Sequence, residues 1–218
     1  MRFADRRDAG RQLAARFDRR DWTDPIVLAL PRGGVPVAFE LAARIGAQLE
    51  VFVARKIGAP GHTELGIGAI AEGWDGLVIT PTARAIGFGQ GELEMLAGRE
   101  RQELERRVED YRKGRPLPAL SGRDVILVDD GLATGVTAQA ALGALRAHEP
   151  RRLVLAVPVC PPDTAAQLAR IADDVVCVAA PPDFHAVGLW YEDFSQTTDA
   201  EVVELLERAR SAPAFGEG

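Results

Sequence analysis

Nine consecutive residues carry the densest chemistry in the chain: Asp129-Asp130-Gly131-Leu132-Ala133-Thr134-Gly135-Val136-Thr137. Two adjacent carboxylates can accept bonds from sugar hydroxyls, each charge-assisted bond being worth about 1.5–3 kcal/mol. The small residues that follow place free backbone N–H groups where a helical pattern begins, which makes a ready anion site. Acids beside an anion cradle suit a ligand with both a phosphate and a polyol or metal-bound part. A phosphorylated sugar has both.

Three further groups could act on such a ligand. Leu30-Pro31-Arg32-Gly33-Gly34 is a strand–turn–helix glycine pair in which Gly33 and Gly34 let backbone approach an anion and Arg32 adds a fixed charge. Arg55 and Lys56 end an apolar run, where two neighbouring cations repel each other and favour either solvent or a bound anion. Glu72, before Gly73, is either a surface turn residue or an acid placed to handle a proton.

Positioning these groups requires strands that end together. Residues 125–129 form a nearly continuous apolar run ending in acid, the pattern of a strand buried on both faces of a parallel sheet. Similar short runs predict strands at 26–30, 49–54, 77–80, 153–157 and 175–178. Helical spacing falls at 4–19, 35–45, 92–111, about 136–148, about 163–172 and about 199–210, with Leu93, Leu96, Leu104, Val108 and Tyr111 on one stripe of the third. Residues 112–123 read as a Pro/Gly linker and 211–218 as a loose tail. The alternation predicts an α/β fold: a mainly parallel open sheet with helices on both faces, in one domain over 1–218. In such sheets ligands bind beyond the carboxyl ends of the strands. Residues 55–76, glycine-rich and without evident structure, read as a long functional or mobile loop, with His62 and Glu64 at its tip. Residues 180–199 read as irregular and aromatic.

The chain has 218 residues, 47% of them apolar and 27% charged, which suits a globular domain. Its two cysteines cannot build a disulfide framework and read as buried thiols. The charged N-terminus lacks the apolar core of a signal peptide, and no run reaches membrane-spanning length, so a cytoplasmic protein without membrane contact is expected. A net charge of −6 argues against nonspecific nucleic-acid binding. A GxxxxGK[ST] loop, CxxC and GxSxG are all missing, and His62, His148 and His185 lack metal-ligand spacing. Gly66, Gly68 and Ala71 fit a loose dinucleotide pattern, but no buried strand precedes them.

The DDGLATGVT segment resembles the ribose-phosphate signature of type I phosphoribosyltransferases, in a form closest to the adenine enzymes. Over roughly residues 3–207 the chain resembles a group of predicted phosphoribosyltransferases of unassigned substrate. The resemblance implies transfer of ribose 5-phosphate from 5-phosphoribosyl-1-pyrophosphate to a small base, with Mg²⁺ and release of pyrophosphate, in nucleotide salvage. It implies that Asp129 and Asp130 hold the ribose hydroxyls and touch the metal indirectly. Ala133, Thr134, Gly135, Val136 and Thr137 would cradle the 5-phosphate. Arg32, Gly33 and Gly34 would form the pyrophosphate loop, with Pro31–Arg32 the candidate for a cis peptide. Arg55 and Lys56 would meet the pyrophosphate beneath a closing loop, and Glu72 would work near the base. A hood from about 180–197, with the N-terminal segment as a further contributor, would cover the base. Within it Phe184, Trp190 and Tyr191 would stack, while Glu192 and Asp193 would bond ring edges or a second Mg²⁺; covering the sheet's end is their alternative use. Ala133 departs from the 6-oxopurine pattern, which carries an aspartate there, and this argues against guanine or hypoxanthine. The resemblance also implies a homodimer.

Two other readings use the same scaffold. A regulator that senses the sugar pyrophosphate would need a basic surface, and the arginines at 2, 6, 7, 11, 16, 19 and 20 are the candidate, diluted by Asp5, Asp8, Asp18 and Asp21. A phosphosugar hydrolase would form ribose 5-phosphate without any acceptor.

Overall fold

A computed structural model describes residues 2–18 and 21–211, leaving the side chains of Thr63 and Glu64 undescribed. Strand β1 (Ile26–Ala29) is apolar and buried at every position, so it needs cover on both faces. Successive residues supply the two faces in turn. Val27 and Ala29, with Ile126 and Val128 of β6 (Asp124–Val128), pack with α1 (Arg6–Ala14), α2 (Gly34–Ile45) and α7 (Asp199–Ser211). Ile26 and Leu28, with Val125 and Leu127, pack under α5 (Val136–Arg146) and α6 (Pro162–Leu168).

Five parallel strands lie in the order β2-β1-β6-β7-β8, where β2 is Gln48–Val51, β7 Arg152–Val159 and β8 Asp174–Ala179. The chain leaves β1 toward β2 on one side and later returns as β6 on the other. The switch point therefore lies between β1 and β6, where an open α/β sheet leaves a crevice. The glycine turn after β1 and the acid pair after β6 both open onto it.

Residues 55–76 depart from the expected loop. Ala54–Ala59 (β3) and His62–Ala71 (β4) pair antiparallel, and Val78–Ile79 (β5) completes a three-stranded sheet. The glycines read as punctuation, but the apolar residues between them alternate, and Ile57, Ile67 and Ala69 are buried. The turn is Pro60-Gly61, with Gly61 at φ +77°. Gly68 lies where a Cβ would come within 2.7 Å of the Val78 carbonyl, and Gly58 sits at a shift in register, as glycines within strands often do.

Helix α4 (Gln90–Arg112) extends the expected one at both ends, with Leu93, Leu104 and Tyr111 buried as its stripe predicts. The short α3 (Pro81–Ala85) was not anticipated, although Thr80-Pro81 signals it: Thr80 Oγ1 accepts from Ala83 N at 3.1 Å. The chain's beginning joins segment 190–193. Phe3 donates to the Trp190 carbonyl at 2.8 Å and accepts from Glu192 N at 2.8 Å, and Asp193 N donates to the Ala4 carbonyl at 2.9 Å. Phe3, Ala9, Val159 and Tyr191 form a small apolar cluster beside the main core. The tail expectation falls outside the described residues beyond Ser211, as do Arg19 and Arg20 of the arginine cluster.

Candidate active site

Two helices start at the switch point without a capping side chain. Gly33 precedes α2 and Gly135 precedes α5, and neither can offer the oxygen that Ser, Thr or Asp would. In α2, Gly34 N and Val35 N donate to the Leu30 and Arg32 carbonyls at 3.1 Å each; in α5 the first-turn N–H groups have no partner within the helix, and each start carries the positive end of its dipole. Gly135 occupies the left-handed region at φ 67°, which turns the chain sharply from loop into helix. Gly34 brings α2 so close to β6 that a Cβ would lie 2.7 Å from the Val128 carbonyl. The Pro31–Arg32 peptide is cis.

Between these starts and the β3–β4 hairpin lies a cavity of about 550 Å³. Leu30, Pro31, Asp129 and Thr137 line its sheet side; Ala54, Arg55, Lys56 and Gly58 come from the hairpin, and Glu100 and Arg107 from α4. The structure thus brings together Asp129, Thr137, Arg55 and Lys56. Arg107 went unrecognised in the sequence, where it is one of many charges on a long amphipathic helix. A second, more apolar cavity of about 480 Å³, lined by Ile57, Phe88, Met95 and Leu96, shares Gly58 and Glu100 with the first.

The charged groups are held by specific partners. Arg55 donates through Nε and Nη2 to Glu100 Oε2 at 2.9 and 2.6 Å, and Arg107 Nε donates to Glu103 at 2.9 Å. Arg32 does not line the cavity; its guanidinium lies 3.6 Å from Asp199 Oδ2, and the other oxygen of that carboxylate accepts from Tyr111. Burial pushes the Asp129 carboxyl above its ordinary range, and the neighbouring Asp130 charge pushes it further. Burial also raises Asp130, against the pull of the Arg6 guanidinium, whose Nε lies 2.7 Å away. Arg6 is thus turned inward, and nothing in the sequence separates it from its neighbours in the arginine cluster. Ala133 and Thr134 form the exposed tip of the loop, with Thr164 Oγ1 donating to the Ala133 carbonyl at 2.9 Å.

Other expected site residues stand elsewhere. Glu72 is not at the cavity: it is buried, accepts from Val53 N at 3.1 Å and pairs with the buried Arg112. The end of β4 carries it inward beneath the hairpin, because the segment is a strand and not a surface loop. Burial raises its carboxyl to about 7, against the pull of Arg112. Asp193 accepts from Ser195 N at 2.8 Å and lines a separate cleft with Arg6 and Glu201, away from the cavity. Phe184 packs against the small apolar cluster, and Trp190 lines a shallow hollow with Arg2, Asp183 and His185. Tyr191 is buried and unable to offer a stacking face. His62 is exposed at the start of β4, and the Glu64 side chain lies outside the described residues. Among the described residues no group of three or more His, Cys, Asp or Glu side chains could hold a metal, and no helix is long and apolar enough to cross a membrane.

Two uncapped helix starts at the switch point of an open parallel sheet define the class: an α/β protein with its crevice at the carboxyl ends of the strands. The model of the phosphoribosyl transferase domain matches residues 4–190, and the chain belongs to that family. A Mycobacterium tuberculosis protein, found in two strains and carrying a provisional phosphoribosyl transferase name, is 46% identical over 207 residues, covering 95% of this chain. The match takes in 47% of that relative, so the chain spans about half the length of the curated relatives it matches. The solved structure of TT1426 from Thermus thermophilus is similar throughout: 47% identity, a TM-score of 0.80, and coverage of 95% of this chain and 99% of the other.

Proposed function

We propose that this chain transfers ribose 5-phosphate from 5-phosphoribosyl-1-pyrophosphate to a nitrogenous base, releasing pyrophosphate, as a cytoplasmic enzyme of nucleotide salvage. The observation that carries the reading is the switch-point cavity, whose wall holds an acid, a helix start and three cations: Asp129, Thr137, Arg55, Lys56 and Arg107. The parts of the donor have complements in the cavity or at its edge. The 5-phosphate suits the start of α5, from Ala133 to Thr137. The ribose hydroxyls suit the acid pair. The pyrophosphate suits the cations Arg55, Lys56 and Arg107, whereas Gly33 and Gly34 stand back from the cavity lining and Gly34 N already donates to the Leu30 carbonyl at 3.1 Å.

In the transfer, a bond forms between the base nitrogen and ribose C1, and the bond from C1 to the pyrophosphate oxygen breaks. The electron pair leaves with pyrophosphate, and the proton lost by the base nitrogen goes to water. Arg55, Lys56 and Arg107 offset the charge that grows on the leaving group, which is the kind of electrostatic help that counts most in a partly closed site. The hairpin walls one side of the cavity, where it would limit water, whose attack would hydrolyse the donor. Mg²⁺ fits the hard oxygen donors of this site, with Asp129 as the protein's contribution and the donor supplying most ligands. When bound it would neutralise the pyrophosphate. Ala133 favours an acceptor outside the 6-oxopurines.

The test is a panel of bases supplied with the donor and Mg²⁺, with pyrophosphate release followed over time. Release with at least one base is expected, and Asp129→Ala with Asp130→Ala should abolish it. Full activity in that double variant would sink the assignment. Ribose 5-phosphate formed without any base would indicate a hydrolase instead.

A further inference from the structure

Helix α4 turns one face to the core, burying Leu93, Ala97 and Leu104, and another away from it. On that outer face Met95 is 74% exposed, more than any other exposed large apolar side chain among the described residues. Beside it lies the apolar cavity of about 480 Å³. Ile57, Ala59 and Pro60 of the hairpin form one wall of this groove, and Phe88, Met95 and Leu96 form the other. Two charges frame the apolar strip: Glu92 and Arg99 also line the groove, about one turn before and one turn after Met95. Among the described residues Arg99 has no ion pair or hydrogen bond. Gly98 sits in the helix interior, where glycine weakens a helix and where a Cβ would meet nothing within 4 Å. No contact among the described residues calls for glycine there, whereas the close approach of another helix would.

We propose that this face of α4, with the groove beside it, is where a second copy of the chain docks, the two α4 helices lying antiparallel across a twofold axis. A twofold contact must be self-complementary: what one residue meets on the partner must meet it in return. The face satisfies that demand. Glu92 and Arg99 lie two turns apart on one side of the helix, with Met95 and Leu96 midway between them. An axis passing between Met95 and Leu96 sets Glu92 of each copy against the partner's Arg99, and both pairs form at once. The same axis carries each Met95 toward the partner's groove and takes it out of water. Methionine is flexible enough for such mutual insertion, and with arginine it is enriched in interface cores. A foreign partner would leave this symmetric order of acid, apolar residue and base without a reason. The groove shares Gly58 and Glu100 with the switch-point cavity, so the docked helix also backs the wall that carries Arg55. The contact itself is independent of the proposed reaction and stands or falls without it.

The experiment is sedimentation of the full chain from about 1 to 100 µM, with circular dichroism as the check on folding. A dimer is expected for the wild type. Met95→Glu and Arg99→Glu should each weaken association about tenfold or more, the first by setting a charge against an apolar groove and the second by setting acid against acid twice. Glu92→Arg should do the same with base against base. Mixing the Glu92→Arg and Arg99→Glu chains should restore a dimer, because every cross pair is then opposite in sign. A wild type that stays monomeric across the range would leave the face to a different partner and overturn the proposal. So would a dimer that survives Met95→Glu, or a mixture that stays monomeric although both chains fold. Should Glu92→Arg fail to fold through loss of its bond to Gly89 N, Met95→Glu and Arg99→Glu decide without it.

Discussion

Arg55 is held by a carboxylate that a pyrophosphate would have to displace. Both its Nε and its Nη2 reach Glu100 Oε2, and the pair sits on the wall of the cavity. Because the pair is partly exposed, the bond itself adds little stability, but its competition with an incoming anion is direct. Glu100→Gln is therefore expected to lower the donor KM severalfold in steady-state kinetics. A raised KM would mean that Glu100 orients Arg55 and does not compete for it. At this scale the sequence was most readable where the chemistry is contiguous. Asp129, Thr137, Arg55 and Lys56 follow from short stretches whose types and spacing state their use. Arg6 and Arg107 could not be read in that way. Each is one arginine among several on a charged helix, and its role is set by which residue from a distant segment meets it.

Among the elements, the β3–β4 hairpin carries Arg55 and Lys56 and is anchored at its base by a buried ion pair. Glu72 follows the last residue of β4, and Arg112 ends α4, so their contact fastens the hairpin to the helix behind it. Removing one partner leaves an uncompensated buried charge, and Arg112→Ala is expected to cost about 3–5 kcal/mol in denaturant unfolding. The pH dependence has a definite sign. The folded-state carboxyl of Glu72 is raised from 4.5 to about 7, so the folded chain binds more protons than the unfolded one across that window. Stability attributable to this group is full below about 4.5 and falls as pH rises toward 7, by about 3 kcal/mol in all. Unfolding of Glu72→Gln, compared with wild type from pH 4 to 8, should lack this component; parallel curves would contradict it. The hairpin was hidden because glycine ordinarily marks turns, whereas Gly68 serves close approach to a neighbouring strand. The burial of Glu72 was hidden for the same reason: the turn it occupies directly follows a buried strand, which carries it inward.

Taken whole, the molecule has two faces of apolar packing around one parallel sheet and a crevice where the strand order reverses. The parallel sheet and most helices were legible because unbroken apolar runs and 3.6-residue spacing are local signals. The stitching of Phe3 to segment 190–193 depends on long-range pairing that no window of sequence contains. Since the crevice lies between elements far apart in the chain, a ligand there stabilises the entire fold. Donor with Mg²⁺ at a hundred times its Kd should add about 2.7 kcal/mol and raise the Tm in thermal scans. An unchanged Tm at saturating donor would count against binding at the switch point. The two uncapped helix starts have one more consequence. Neither start carries a capping side chain that would tell a sugar phosphate from another small oxyanion. On the proposed reaction both products also keep an anionic group that fits one of the cradles. The forward rate should therefore sag as pyrophosphate accumulates, recover when a pyrophosphatase removes it, and be slower in phosphate or sulfate buffer than in a zwitterionic one.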